Sequence, residues 1–205
     1  MALLDQDTTC GARVVEIAAG QRLFGAGDSG PVWQLVKGVM RLETNQPSEG
    51  RLVHLVQTGD LVGAESVLFQ AYTFNATAVV ASQLKTVDLE TEIHRILVLA
   101  TAFKQGQQRA AEVMQLREGS VAQRLEHLLE ILHRASGDDI LDIRQRQLPS
   151  LRDIASIVNA APESVCRNLT QRLGRKMMAG VANSGTLTNV VPIGGRTLGS
   201  TSLPP

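Results

Sequence analysis

The chain has 205 residues, of which 43% are hydrophobic and only 3% aromatic, enough for two small cores with few large rings in them. No apolar run approaches the ~18 residues of a membrane span, and the N-terminus lacks a basic start followed by a signal-like core. The expectation is a cytoplasmic protein with no membrane partner and two reduced cysteines, Cys10 and Cys166.

Twenty basic residues balance twenty acidic ones, but unevenly along the chain. From Ile140 onward there are eight basic residues (Arg144, Arg146, Arg152, Arg167, Arg172, Arg175, Lys176, Arg196) against three acidic (Asp142, Asp153, Glu163), a net charge of +5, which leaves −5 for residues 1–139. A basic module joined to an acidic one fits a phosphate-binding unit attached to a part with a different task.

From Val14 to about Glu90 the pattern is that of short strands. Val32 to Val36, Val39 to Leu42, Leu52 to Val56 and Ala76 to Val80 are apolar runs separated by glycine-rich corners, with Gly20, Gly25, Gly27, Gly30, Gly38, Gly50, Gly59 and Gly63 punctuating the region. This spacing predicts a small barrel or double-sheet roll. A proline-free helical region follows, from about Glu92 to Ala135, with Ala110, Val113, Met114, Val121, Leu125, Leu128, Leu129 and Leu132 at helical spacing and Gly106 and Gly119 as weak points. The seam predicts pairing with a second copy through Val113, Val121, Leu125, Leu128 and Leu132; the alternative is a helix packed wholly on its own roll.

Ser150 to Leu173 reads as two short amphipathic helices hinged at Asn159-Ala160-Ala161. Ile154, Ala155, Ile157 and Val158 make one apolar stripe, and Val165, Leu169 and Leu173 the other. Ser150 and Asp153 have the spacing of a capping box, Pro162 suits a first helical turn, and Asn159 tolerates the left-handed conformation of a tight corner. The outline is a helix-turn-helix. Glu163, Arg167 and Gln171 then share the face away from the apolar stripe, where a guanidinium can donate two bonds to a guanine edge and a carboxylate can accept from a cytosine amine. The same pair can also be read as an ordinary i,i+4 ion pair. Ser150, Arg152, Arg172, Arg175 and Lys176 are the expected phosphate contacts. Beyond Lys176, Asn183-Ser184-Gly185 could turn a short hairpin, and Val190 to Pro205 has the composition of an irregular tail.

This order of glycine-cornered roll, long helix and helix-turn-helix resembles the cyclic-AMP receptor protein and fumarate-nitrate regulator (CRP/FNR) family of bacterial transcription factors. The matching residues are Gly20, Leu23-Phe24 and Gly27-Asp28, VWQLVKG from Val32, Gly50-Arg51, GDLVGAES from Gly59, VAQRLEHLLEIL from Val121 as the end of the dimer helix, and PESVCRNL from Pro162 as the recognition helix. The resemblance implies an α+β chain: a double-stranded β-helix of the cyclic-nucleotide-binding type over residues 1–100, a dimerisation helix over 101–136, and a winged helix-turn-helix unit with a degenerate wing over 137–205. It implies a homodimer reading an inverted repeat in duplex DNA, with RNA polymerase and an unidentified small effector as further partners. Glu163 and Arg167 match the family's base-reading pair, while Pro162 stands where some members place another arginine and Ala161 where a serine or threonine cap is expected.

In cyclic-nucleotide-binding members the segment after GDLVG supplies a glutamate for the ribose and an arginine pair for the phosphate. Here Glu65 stands near the first position and Phe74-Asn75 replaces the second, so Glu65, Phe74 and Asn75 are the expected effector-pocket residues and control by cyclic AMP is not expected. The two cysteines lack cluster spacing, and the four histidines, His54, His94, His127 and His133, form no metal motif, so neither metal nor cofactor is expected. The rival class is a cupin-like metal-dependent enzyme with an appended helical domain. Its clustered histidines are missing, since the β-region holds His54 alone, and the expected protein is not an enzyme.

Overall fold

The structure, a computed structural model, describes residues 13–45, 51–136 and 148–173. Among them are eight strands and five helices: β1 Val14–Ile17, β2 Arg22–Phe24, β3 Trp33–Lys37, β4 Met40–Glu43, β5 Leu52–Val56, β6 Leu61–Val62, α1 Ser66–Phe69, β7 Asn75–Ala78, β8 Ser82–Thr86, α2 Glu92–Gln115, α3 Val121–Ser136, α4 Leu151–Val158 and α5 Pro162–Leu173. No helix among the described residues is long and apolar enough to cross a membrane.

The strands form two antiparallel four-stranded sheets, ordered β1-β8-β3-β6 and β2-β7-β4-β5. Alternation along each strand decides what each face meets. Met40, Leu42 and Val56 point into the roll with Phe24, Trp33, Leu35, Tyr72, Ala76 and Leu84. Leu55, opposite Arg41 in the β4/β5 ladder, belongs instead to a second cluster with Val39, Leu52 and Val79. That cluster continues through Leu116, then Leu125, Leu128, Ile131 and Leu132 of α3, Ile154, Ile157 and Val158 of α4, and Val165 and Leu169 of α5. The outer face of one sheet and the three C-terminal helices therefore share one core.

The single long helical region of the sequence is two helices. Gly106 lies inside α2, while Gly119 has φ +79°, a left-handed conformation that ends helical pairing and that a side chain would strain. Just after it, Ser120 and Gln123 close a capping box: the Gln123 amide donates to Ser120 Oγ at 3.3 Å and the Ser120 amide donates to Gln123 Oε1 at 2.9 Å. The S-x-x-Q spacing was present in the sequence as a helix start.

This break relocates most of the expected dimer seam. Leu125, Leu128 and Leu132 lie on α3 and are buried against α4, α5 and the roll within the same chain, and half-buried Val121 packs on the same cluster. Of the five residues expected to face a second copy, only Val113, half-buried, lies on α2. The physical reason is that a three-helix unit has to bury its apolar stripes somewhere, and α3 supplies the surface that α4 and α5 need.

Leu128→Ala should accordingly lower unfolding stability by about 2–5 kcal/mol. Denaturant titration checks this, and analytical sedimentation of the folded variant should show the same assembly state as the unsubstituted protein.

Candidate nucleic-acid interface

The turn between α4 and α5 is built from backbone geometry. Asn159 sits at φ 49°, ψ 59°, and its amide and that of Ala160 fold back onto the Ala155 and Ser156 carbonyls. Ser150 caps α4 as its spacing predicts: its hydroxyl accepts from the Asp153 amide at 3.1 Å and donates to Asp153 Oδ2 at 2.6 Å. With Ile154, Ala155, Ile157 and Val158 buried on α4, and Val165 and Leu169 buried on α5, the opposite face of α5 is left outward.

Glu163, Arg167 and Gln171 are all exposed along that face. They are placed together as expected, and no ion pair between Glu163 and Arg167 forms among the described contacts. Cys166 is a free, half-buried thiol beside them.

The expected phosphate contacts divide. Arg152 is exposed on α4. Arg172 is paired with Glu126 of α3 at 3.2 Å, which ties the end of α5 to α3. Ser150 commits its hydroxyl to the cap. Arg175 and Lys176, like Cys10, the Asn183-Ser184-Gly185 turn and the tail, lie outside the described residues.

Around the roll, the expected effector residues serve the fold. Glu65 Oε1 accepts from the Thr73 amide at 3.2 Å, Asn75 Oδ1 accepts from the Ala26 amide at 3.0 Å, and Phe74 packs half-buried against the roll core. The segment's central side chain is one that sequence reading passed over. Tyr72 stacks on Phe24 with ring centroids 3.5 Å apart, donates its hydroxyl to the Pro31 carbonyl at 2.6 Å and accepts from Trp33 Nε1 at 3.3 Å. Burial pushes its hydroxyl up to about 12. Gly63, at φ +77°, lies so near that an added Cβ would collide with the Tyr72 ring. The usable signal was the composition: this is the only tyrosine, two residues from Phe74, in a chain with one tryptophan.

A polar cluster fastens α2 to the roll. Arg109 donates to both oxygens of Asp60 at 2.8 and 3.1 Å and to Glu112 at 2.8 Å, and Gln57 donates to Glu112 at 2.6 Å. Burial works against the Arg109 charge, but these carboxylates outweigh it and the net shift is upward. Gln105 completes the seam, its amide bonding both the NH and the carbonyl of Leu61 at 2.7 and 2.9 Å. On the far side of α2, Ile93, Ile96, Leu97, Phe103 and Met114 are exposed.

His54 lies near this cluster with its Nε2 buried and unpartnered among the described residues. Burial lowers its pKa from 6.5, Asp60 and Glu112 pulling the other way and Arg109 adding to the lowering. Among the described residues no group of three or more histidine, cysteine or carboxylate side chains could hold a metal ion.

Residues 14–92 match the family model of the cyclic nucleotide-binding domain. By sequence alone, no curated protein matches the chain significantly. Among solved structures, a CRP-family transcriptional regulator from Thermus thermophilus is similar at 21% identity and a TM-score of 0.58, over 78% of this chain and 85% of that one. A CRP/FNR-family transcriptional regulator of the same organism is similar at 19% identity and a TM-score of 0.58, over 79% and 87%. FixK2 of Bradyrhizobium japonicum gives 20% identity and a TM-score of 0.57, over 78% and 84%.

Because unfolded His54 takes up a proton near 6.5 and folded His54 only at lower pH, the unfolded state binds more protons in that window. Stability should therefore fall as pH drops below about 6.5, by at most ~1.4 kcal/mol per unit for one proton, and level off once the folded side chain also protonates. Urea titrations between pH 7.5 and 5 should show a shallower slope for His54→Gln than for the unsubstituted protein. The chain thus carries a cyclic nucleotide-binding domain over residues 14–92, set in the fold of the CRP/FNR transcriptional regulators.

Proposed function

We propose that this protein is a transcriptional regulator that reads an inverted repeat in duplex DNA as a homodimer. The observation that carries the reading is α5: its inner face is buried through Val165 and Leu169, while Glu163, Arg167 and Gln171 stand exposed on a helix whose width suits a major groove. Arg167 supplies a bidentate donor to a guanine edge, Glu163 an acceptor for a cytosine amine, and Arg152 a phosphate contact that orients without specifying. The net charge of +5 from Ile140 onward supports the same assignment.

The second copy is proposed to pair through α2. Ile93, Ile96, Ala100, Phe103, Gln107, Ala110 and Met114 follow a 3-4-3-4 spacing along the face opposite buried Val98 and Gln105, and all seven are exposed. That is the a/d seam of a two-stranded coil about 36 Å long, with Gln107 as a polar a position of the kind that fixes register. This seam takes the place of the one expected on Leu125, Leu128 and Leu132.

Control by cyclic AMP in the usual mode is not part of the proposal. No lysine or arginine stands between Arg51 and Lys85, so a phosphate in the roll would lack a cationic partner from this segment. Tyr72, Phe24 and Trp33 also pack against one another inside the roll. A different small effector, and contact with RNA polymerase, fit the same architecture.

Selection of bound sequences from random duplexes tests the reading, and recovery of an inverted repeat with half-sites about one helical turn apart is the expected result. On that operator Arg167→Ala should cost about 1–3 kcal/mol and relax discrimination at one base pair, whereas Arg152→Ala should weaken all duplexes alike and shallow the salt dependence. Equal losses for Arg167→Ala on operator and random DNA would sink its base-reading role. Phe103→Glu should convert the dimer to monomer in sedimentation, and micromolar binding of cyclic AMP in calorimetry would overturn the effector assignment.

A further inference from the structure

The helix that precedes the reader in the hairpin is gripped at both ends by arginines from outside the hairpin. At the C-terminal end of α4, Arg124 of α3 donates through one nitrogen to the Val158 carbonyl at 2.6 Å and to the Asn159 carbonyl at 2.9 Å. At the N-terminal end, Arg41 of β4 donates to Asp153 Oδ1 at 2.7 Å, while Asp153 Oδ2 is held by the Ser150 cap at 2.6 Å. Both partners of the Arg41 bridge are largely buried, with side chains 18% and 26% exposed. Between the two grips, Ile154, Ile157 and Val158 are in the shared apolar core.

These two kinds of contact do different jobs. Apolar burial is non-directional: it sets which face of α4 turns inward, but holds its fine rotation and its position along its own axis less tightly than a directional bond does. Charge-assisted hydrogen bonds are directional, and bonds at opposite ends of an eight-residue helix leave it little freedom to turn or slide. Only residues 159–161 separate α4 from α5, so whatever fixes α4 fixes α5. Arg124 acts on the two carbonyls that orient the peptide planes of that turn, next to Asn159 in its left-handed conformation.

We propose that Arg124 and Arg41 are positioning residues for the reading helix, setting where Glu163, Arg167 and Gln171 stand without touching DNA, Arg124 from within the helical unit and Arg41 from the β-roll. The proposal rests on the DNA-reading assignment above and deepens it. A base edge is read within a few tenths of an ångström, whereas a phosphate contact tolerates a shifted helix. Loss of either grip should therefore lower discrimination more than it lowers general DNA affinity.

The test compares full-length protein with Arg124→Gln, Arg41→Gln and the conservative Arg124→Lys and Arg41→Lys, on the selected operator and on a random duplex across a salt series. For Arg124→Gln the operator affinity should fall roughly tenfold, the scale of one lost charge-assisted bond, with random-duplex affinity within about twofold and an unchanged salt slope. Arg41→Gln should show the same pattern with a smaller loss, and each lysine variant should recover part of it. Equal losses on both duplexes with a salt slope shallower by about one would make either arginine a phosphate contact and overturn its positioning role. Unchanged discrimination in a folded variant would overturn it as well. Amide exchange supplies the arm that needs no DNA: the Ala160 and Val165 amides, bonded to Ala155 and Ala161, should exchange faster in Arg124→Gln, and Asp153, bonded to Ser150, faster in Arg41→Gln. If the unsubstituted protein selects no sequence, the DNA reading fails on its own account, and unchanged exchange at these amides would still overturn the grip.

Discussion

The core shared between the β2-β7-β4-β5 sheet and the three C-terminal helices is the contact on which the rest of the molecule depends. Among the described residues, helices α3, α4 and α5 share their core with the roll. Leu55, Leu52, Val39 and Val79 from the roll add to that core, and buried Leu116, in the connection between α2 and α3, joins the two parts. Strand alternation makes this possible in sequence terms: β4 and β5 send Met40, Leu42 and Val56 into the roll and Arg41 and Leu55 out toward the helices. One hairpin thus serves two cores, so the interior of the roll and α5 are joined by a short path of packed side chains.

Charge at that junction is arranged to tolerate burial. Arg41 lies between Glu43 at 3.3 Å and Asp153 at 2.7 Å, one cation against two carboxylates. Burial pushes the Glu43 carboxyl up, Arg41 opposes the shift and Asp153 adds to it. Breaking such a pair strands a partly buried charge, which is more damaging than the pair is stabilising. This gives the Arg41 bridge its value as a constraint on geometry, since its contribution to stability is modest and its directionality is not.

What was legible in the sequence was local and periodic. The Ser150 cap, the Asn159 corner, the buried stripe of Ile154, Ala155, Ile157, Val158, Val165 and Leu169, and the outward Glu163-Arg167-Gln171 face all follow from helix spacing and turn chemistry acting within a few residues. The glycine-cornered strands were equally plain. What misled was a pattern carried across a break: apolar positions at helical spacing do not reveal whether one helix or two supply them, and Gly119 with Ser120-x-x-Gln123 was the local signal that decided it. Tyr72 was harder, because its role depends on Phe24 of β2, Trp33 of β3 and Gly63 after β6 converging from separate parts of the chain, and convergence of that kind has no period.

Helix α2 shows most clearly why a helix cannot be assigned a partner from its apolar residues alone. Its inner face is polar at the centre: Gln105 bonds the backbone NH and carbonyl of Leu61, and Arg109 and Glu112 bond the side chains of Asp60 and Gln57 respectively. Its outer face carries Ile93, Ile96, Phe103 and Met114. The inner face as a whole is mixed, since Val98 packs against Val32, Leu61 and Ala64 beside these polar contacts, and the polar part follows from what the roll's rim demands. At β6 that rim presents backbone groups and an aspartate, which need hydrogen-bonding partners that an apolar face would deny them. Polar residues are therefore required at that rim, and of the large apolar residues of α2 only Val98 is buried.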